Sequence, residues 1–211
     1  MIDSNILEYS KLEPLNVSRE TFPELEEFRS LILKKNKEIN LISYNTEGIS
    51  RERHIIDSAQ IIDFIDKNDK LCTDIGSGSG LPGIVLAIIM KYKKSNMEFH
   101  LYEKSFHKSN FLKEVSKKFK LNTKIFQKNI FEIKNLETGT VMSRAFKPMP
   151  VVLDLVYENF SKYKNLIFFM GKSGKKMLNE SLTKWQFEYK EKKSLTSKES
   201  FLIKINKLKK K

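Results

Sequence analysis

The segment "TDIGSGSGLPGI" (residues 73–84) places four glycines and a proline directly after a short apolar run. A glycine cluster that follows a strand lets the backbone approach a phosphate or a nucleoside closely, because no Cβ atom intervenes. Two overlapping patterns fit the segment. Residues 78–83 read G-x-G-x-x-G, whereas residues 74–80 read D-x-G-x-G-x-G. The two patterns predict different ligands, and the choice between them decides the predicted chemistry.

The first pattern is typical of dinucleotide-binding loops, and Glu103 falls 20 residues after Gly83, where a ribose-binding acid is expected. The second pattern resembles the first motif of class I S-adenosylmethionine (SAM)-dependent methyltransferases. In that interpretation Glu103 ends the second predicted strand and reaches the ribose hydroxyls of SAM. A tight packing turn that binds no ligand is the third interpretation.

Three features favour the SAM pattern. The preceding strand is predicted to end at Ile75, so Gly76 is the first turn residue, and the dinucleotide pattern ignores it. A carboxylate at Asp74 has no use beside a pyrophosphate, but it suits SAM, which carries an ammonium and a sulfonium group. Pro82 suits the first turn of the following helix, where its missing N–H costs nothing. We therefore expect SAM as the cofactor.

The elements around this loop alternate between strands and helices from residue 70 onward. Strands are predicted at 70–75, 98–103, 123–127, 140–145 and 165–171, and helices near 81–94, 106–119, 148–162 and 173–185. Such alternation predicts a parallel sheet with helices on both faces. Two period-two segments, 187–195 and 200–208, look like antiparallel strands added at the end. Their presence matches the seven-stranded class I methyltransferase sheet.

The predicted fold class is therefore α/β, a Rossmann-like class I methyltransferase with a mostly parallel seven-stranded sheet and C-terminal antiparallel strands. The first third of the chain shows helical spacing and no strand pattern. We predict that residues 1–66 form an N-terminal helical extension packed on the core. Residues 67–211 then form the SAM-binding core.

The composition limits which partners and which cellular locations are expected for this protein. The net charge of +13 favours a polyanionic partner such as nucleic acid. The alternative is a lysine-rich composition from an AT-rich genome, with the lysines scattered over solvated faces. The longest apolar stretch, residues 84–90, is too short to span a bilayer, and no signal peptide is visible. These features, with the single cysteine Cys72, predict a cytoplasmic protein.

Other chemistries fit poorly. Gly-Lys-Ser at residues 171–173 is not a P-loop, because position 166 is leucine where that motif needs its first glycine. The histidines His54, His100 and His107 show no metal-ligand spacing, so no metal is expected. No nucleophile elbow or catalytic cysteine pattern appears.

Several segments together resemble the bacterial 16S rRNA guanine-N7 methyltransferases, also called glucose-inhibited division protein B. They run in order over roughly residues 25–210 and comprise "NLIS" (40–43), "RHIIDS" (53–58), "DIGSGSGLPGI" (74–84), "FLKEVSKKFKL" (111–121), "MSRAF" (142–146) and "FMGKSG" (169–174). One position departs from the family. Members commonly have lysine before the glycine at 171, whereas this chain has Met170 there and a lysine only at Lys172.

The resemblance implies a set of cofactor-binding residues. Gly76 and Leu81 would contact SAM in the glycine loop, together with Asp74, Gly78 and Glu103. Ile130 and Phe131 would flank the adenine, and Arg144 would line the pocket at the end of the fourth predicted strand; ligands of α/β sheets bind at strand ends.

Each assignment has a structural alternative. Glu103 could pair with Lys104 or Lys108, and Arg144 could be an ion-pair partner, for example of Asp74. Phe131 could be ordinary core. His54 and Asp57 lie three residues apart on one helix face, where they could pack over the cofactor or brace the N-terminal helices.

The resemblance also implies the substrate, a guanine in the decoding region of 16S rRNA, either free or within the small ribosomal subunit. Guanine N7 has an in-plane lone pair, so methylation needs no general base, and positioning carries the catalysis. No catalytic residue is therefore assigned. Reaching the base requires an unstacked or flipped guanine.

The positive residues expected to hold RNA phosphates are Arg51, Arg53, Lys108, Lys147 and Lys172. We expect a monomer that does not bind membranes. Two alternatives stay open: a SAM-dependent methyltransferase that acts on another RNA or polyanion, and a non-catalytic SAM- or nucleotide-binding module that binds RNA.

Overall fold

A seven-stranded sheet organises the computed structural model, which describes residues 9–211. Its strands lie in the order β3-β2-β1-β5-β7-β9-β8. They are β1 (Leu71–Ile75), β2 (Glu98–Tyr102), β3 (Thr123–Phe126), β5 (Thr140–Ser143), β7 (Asn165–Met170), β8 (Trp185–Lys193) and β9 (Phe201–Lys210). The strands from β3 to β7 are parallel, and β9 runs antiparallel to both β7 and β8. The predicted fold class is confirmed.

Burial explains the strand order. All four residues of β5 and four of the five in β1 are buried, as expected for central strands that are covered on both faces. Most residues of β8 are exposed, which suits an edge strand. The predicted strands match the observed ones to within a few residues, because buried parallel strands form short apolar runs bounded by polar turns.

In the described part of the chain, five regular helices cover the two faces of the sheet. They are α1 (Phe22–Asn36), α2 (Gly83–Tyr92), α3 (Phe106–Phe119), α4 (Met149–Asn159) and α5 (Gly174–Lys184). Helix α2 is buried at every position from Gly83 to Met90, so it forms the centre of the core. No helix among residues 9–211 is both long enough and apolar enough to cross a membrane.

The N-terminal part is helical, as its apolar spacing predicts. Residues 51–64 form one irregular helix, built from a π turn (Arg51–Ile56), a short α turn (Asp57–Ala59) and a 3₁₀ turn (Gln60–Phe64). Its buried side chains join those of α1 and α2 and one face of the sheet in a single hydrophobic cluster. The division at residue 66 stays a proposal, and residues 1–8 of the proposed extension lie outside the described part of the chain.

Two features were not predicted from the sequence. A 3₁₀ helix occupies Ser10–Leu15, and a small two-stranded parallel ladder joins β4 (Leu136–Glu137) to β6 (Phe160–Lys162). Elements this short contain too few residues for a periodic apolar pattern to be visible.

Candidate functional site at the carboxyl ends of the parallel strands

A cavity of about 620 Å³ opens where β1, β2 and β5 end. The turn after β1 supplies Gly76 to Ser79 and Leu81; Tyr102 ends β2, and Glu103 directly follows it. The loops after β3 and β5 close the opposite side. This volume lies within the usual range for small-molecule sites, and ligands of open α/β sheets bind at this edge.

The glycine loop forms one wall of the cavity. Gly76 and Gly78 both have left-handed backbones, with φ of 70° and 56°. A Cβ on Gly76 would lie 2.1 Å from the Phe146 ring, so only glycine fits there. A Cβ on Gly78 would meet no atom closer than the Gly76 carbonyl oxygen at 3.9 Å. The bare backbone at Gly78 therefore leaves space for a ligand to approach, as a nucleoside-binding loop requires.

Glu103 connects this loop to the second strand. Its Oε2 accepts a hydrogen bond from the Gly78 N–H at 2.9 Å, and its Oε1 accepts one from the Ser105 N–H at 2.8 Å. The side chain lines the cavity and makes no ion pair with Lys104 or Lys108 among residues 9–211. Each carboxylate oxygen keeps a further acceptor position. Glu103 can therefore brace the loop and accept from a ribose hydroxyl at the same time.

Asp74 lies behind the loop rather than on the cavity wall. It is 1% exposed, and its Oδ2 accepts from the Gly83 N–H at 2.9 Å at the start of α2. Burial raises the pKa of this carboxyl to about 7. The predicted cofactor residue thus acts here as a positioning residue, which holds the end of the glycine loop against the first strand.

Arg144, directly after β5, lines the cavity and is also ion-paired. Its Nε donates to Asp57 Oδ2 at 3.1 Å, and its Nη2 donates to the Arg53 carbonyl at 2.8 Å. The suggested pairing of Arg144 with Asp74 is wrong: the partner is Asp57, on the irregular helix. A contact across 87 residues of sequence leaves no local pattern that could predict it.

His54 is held in one tautomer by its neighbours. The Thr46 hydroxyl donates to the Ser43 carbonyl at 2.7 Å, so its oxygen accepts from His54 Nε2 at 2.8 Å. His54 Nδ1 then accepts from Arg144 Nη2 at 3.3 Å. Burial and the nearby guanidinium lower the pKa of His54 to about 4. The imidazole is neutral at pH 7, and it both lines the cavity and braces the N-terminal part.

Asp57 belongs to the same hydrogen-bond network as Arg144 and His54. Its Oδ1 accepts from Gln60 Nε2 and from the Thr196 hydroxyl, both at 2.8 Å. With the Arg144 bond, its hydrogen bonds all go to protein groups, so Asp57 braces the site while it also lines the second cavity described below.

The loop after β3 closes the far end of the cavity. Ile130 is buried, whereas Phe131 is 38% exposed and lies 5.9 Å from the Phe146 ring, centroid to centroid. Asn159 Nδ2 donates to the carbonyls of Ile130 and Phe131, both at 3.1 Å. The loop is therefore anchored, and its two apolar side chains offer a surface suited to an adenine ring. Phe131 is not ordinary core.

Four lysines surround the same cavity: Lys104, Lys108, Lys128 and Lys147. Within residues 9–211 none of them lies within ion-pair distance of a carboxylate, although many other lysines do. Lys108 and Lys147 were predicted for RNA binding, and the other two were not. Unpaired cations at the rim of a cavity favour an anionic ligand there.

The other predicted RNA-binding residues lie away from this rim. Arg51 pairs with Glu26 at 2.8 Å and does not line the cavity. Lys172 is highly exposed after β7, 4.0 Å from Glu199. Arg53 lines a second, neighbouring cavity.

This second cavity, of about 410 Å³, adjoins the first at the ends of β5 and β7. Both cavities are lined by Ser43, His54, Arg144 and Ala145. Ala145 has a φ of 50°, an unfavourable conformation for a residue with a Cβ, and such strain concentrates at functional sites. Met170, at the position where the family commonly has lysine, is buried and adds an apolar wall.

Sequence reasoning missed several lining residues, chiefly Leu41, Ile42 and Ser43. They belong to the segment "NLIS", which contributes to the family resemblance but suggested no role by itself. Its position is set by Asn36, whose Oδ1 accepts from the N–H groups of Leu41 and Ile42 at 2.8 and 3.0 Å.

This chain is similar to known proteins in sequence and in fold. It is 54% identical over 205 residues to ribosomal RNA small subunit methyltransferase G of Pelagibacter ubique, covering 96% of both chains. Its fold resembles tRNA (m1A58) methyltransferase TrmI of Aquifex aeolicus, with a TM-score of 0.56 and 16% identity over 86% of this chain and 76% of that one.

A further structural neighbour is M. jannaschii TYW2 in complex with AdoMet, with a TM-score of 0.51 and 16% identity over 83% of this chain and 80% of that one. The family model for rRNA small subunit methyltransferase G (GidB) matches residues 21–204. The family resemblance and the predicted class of enzyme, a SAM-dependent methyltransferase, are confirmed. The chain belongs to the rRNA small subunit methyltransferase G family.

Proposed function

We propose that this protein uses SAM to methylate N7 of a guanine in the decoding region of 16S rRNA. The observation that carries the proposal is the junction of two cavities at Arg144 and Ala145. One cavity is lined by the glycine loop and by Glu103, the combination expected of a nucleoside-binding site. The other opens beside it at the same edge of the sheet, where an acceptor base would meet the cofactor.

The residues proposed to hold SAM line the first cavity. Gly76, Gly78 and Leu81 form the loop side, Glu103 would accept from the ribose hydroxyls, and Ile130 with Phe131 would enclose the adenine. Asp74 supports them by holding the loop. When bound, SAM supplies the methyl group from a positively charged sulfur.

The second cavity is proposed to receive the flipped guanine. Its wall combines Phe169, Met170 and Phe201 with the polar Arg144 and Ser200. Apolar and aromatic side chains pack against an unstacked base, and polar groups fix its orientation. Arg144 donates through Nε and Nη2 to protein partners and keeps Nη1 without one among the described residues, so Nη1 can donate to the substrate or the cofactor.

Proton abstraction is not required in this site. His54 has its Nδ1 lone pair engaged by Arg144 and its Nε2–H engaged by Thr46. Both Asp57 oxygens accept hydrogen bonds from protein groups. The N7 lone pair attacks without losing a proton, so orientation at the cavity junction supplies the catalysis.

The four cavity lysines would hold RNA phosphates, because a dense phosphate backbone gains affinity from each neutralised charge. A cytoplasmic location, a monomeric state and the small subunit as partner belong to the same proposal.

The decisive experiment maps N7-methylguanine in small-subunit rRNA from cells with and without this protein. We expect the modification to disappear from one decoding-region guanine in its absence. Unchanged modification would refute the assignment. Calorimetry with SAM and NADH tests the cofactor separately, and binding of NADH without SAM would contradict the proposed loop chemistry.

A further inference from the structure

We infer that Tyr44 is a stacking platform for a second unpaired RNA base, next to the target guanine. The inference rests on the proposed function and adds a nucleotide site to it. This site comprises Tyr44, Lys37 and Lys108 and lies on the N-terminal side of the cofactor cavity.

Tyr44 is unusually exposed. Its side chain is 83% accessible, more than any other large hydrophobic residue in the described part of the chain. When a flat partner covers an exposed aromatic ring, apolar surface leaves the water and the complex is stabilised. A single exposed aromatic ring is not evidence of a binding site by itself. The residues that hold the ring and surround it decide what it can bind.

Tyr44 lies in a turn that hydrogen bonds hold in place. Tyr44 begins the short 3₁₀ helix Tyr44–Thr46, and Thr46 donates to the Ser43 carbonyl through both its N–H, at 2.9 Å, and its hydroxyl, at 2.7 Å. His54 then holds the Thr46 hydroxyl at 2.8 Å. The same histidine contacts Arg144, so the platform is fixed relative to the proposed catalytic cavities.

A groove of about 810 Å³ leads from Tyr44 to the cofactor cavity. Leu41, Ile42, Ser43 and Lys108 line both spaces, and Ser43 lines the proposed guanine cavity as well. A strand that places one base in the guanine cavity can therefore continue past Ser43 to Tyr44.

Two lysines give the groove cationic groups that are free to contact an anion. Of its two acids, Glu38 is ion-paired with Lys35 at 2.5 Å, and Glu47 accepts a hydrogen bond from Asn36 Nδ2 at 2.6 Å. Lys37 and Lys108 have no carboxylate partner among residues 9–211. An exposed aromatic face beside unpaired ammonium groups is the combination by which proteins bind single-stranded nucleic acid.

The test compares three variants with the wild type: Tyr44→Ala, Tyr44→Phe and, as a matched control, Tyr189→Ala. Tyr189 is also an exposed tyrosine, at 46%, but it lies on β8 and lines none of the three cavities. The measurements are KM and kcat for small-subunit rRNA and the affinity for S-adenosylhomocysteine.

We expect Tyr44→Ala to raise the KM for RNA by about fivefold or more, because loss of one base–aromatic stack costs at least that factor. Tyr44→Phe keeps the ring and should match the wild type, as should Tyr189→Ala. Cofactor affinity should stay unchanged in all three variants.

Equal KM values for Tyr44→Ala and the wild type would overturn the inference while leaving the proposed function intact. An equal loss in Tyr44→Phe would overturn it too, since stacking would then not be the cause. If the wild type methylates no small-subunit rRNA, the proposed function fails and this inference fails with it.

Discussion

The Arg144 guanidinium and the Asp57 carboxylate form a buried ion pair, with 3.1 Å between Nε and Oδ2 and side-chain exposures of 14% and 9%. The pair connects the end of β5 to the irregular helix of residues 51–64. Through Thr196, Asp57 also reaches the loop between β8 and β9. Three distant segments of the chain therefore meet at one carboxylate, which also lines the second cavity.

Replacing Asp57 by alanine should strongly destabilise the fold. Arg144 would keep its charge without its partner, and breaking a buried pair in this way costs about 3–5 kcal/mol. The control is Asp63→Ala on the same irregular helix, whose partner Lys192 lies 2.7 Å away near the surface; exposed pairs contribute at most about 1 kcal/mol. Urea denaturation gives both free energies of unfolding, and equal losses in the two variants would argue against a buried brace.

His54 should make stability depend on pH in a defined window. Its pKa is lowered to about 4 by burial, whereas in the unfolded chain it titrates near its usual value of about 6.5. Between these values the unfolded state binds a proton that the folded state does not. The stability associated with neutral His54 is therefore complete above about pH 6.5 and declines as the pH falls toward 4.

The His54→Gln variant isolates this effect. Asp74 acts in the opposite direction, because its pKa, raised to about 7, lets the folded state take up a proton over part of the same window. That contribution is common to both proteins and cancels in their difference. The unfolding free energy of the wild type minus that of His54→Gln should therefore decrease as the pH falls from about 7.5 to 4.5. A constant difference would mean that His54 titrates normally in the folded protein.

Replacing Glu103 by glutamine should weaken S-adenosylhomocysteine binding by about tenfold, because one amide oxygen cannot accept from both Gly78 and Ser105, and one partly buried N–H of the loop loses its partner. Glu98→Gln is the matched control. Glu98 lies at the other end of the same strand, beside His100 and Lys124. Calorimetry measures both affinities, and a wild-type affinity in Glu103→Gln would remove this residue from the proposed cofactor site.

Filling the second cavity should block methyl transfer without affecting cofactor binding. A Cβ on Gly171 would meet no atom within 4 Å, so Gly171→Leu can fold while its side chain occupies cavity space. We expect kcat/KM for RNA to fall by about a hundredfold, since displacing the acceptor by even about 1 Å has that effect. Gly48→Leu is the control, because its site is equally open but lines none of the three cavities. Full activity in Gly171→Leu would place the acceptor base elsewhere.

Sequence patterns predicted many of the residues that line the first cavity, because these residues lie at strand ends, close to motifs with strong local signals. Gly76, Gly78 and Glu103 follow two mostly buried strands, and all three line the cavity. Asp74 shows the limit of that reasoning. The motif singles out Asp74, but its hydrogen bond from the Gly83 N–H depends on how the loop returns to α2.

By itself the sequence determined the α/β fold, the SAM-type loop and the family, since these depend on local periodicity and on motifs within short segments. Only the tertiary structure shows that Arg144 pairs with Asp57, and that Ser43 lines all three cavities. It also decided which lysines stay unpaired at the rim. Those relationships join residues dozens of positions apart, and packing of the helical part against the strand ends brings them together.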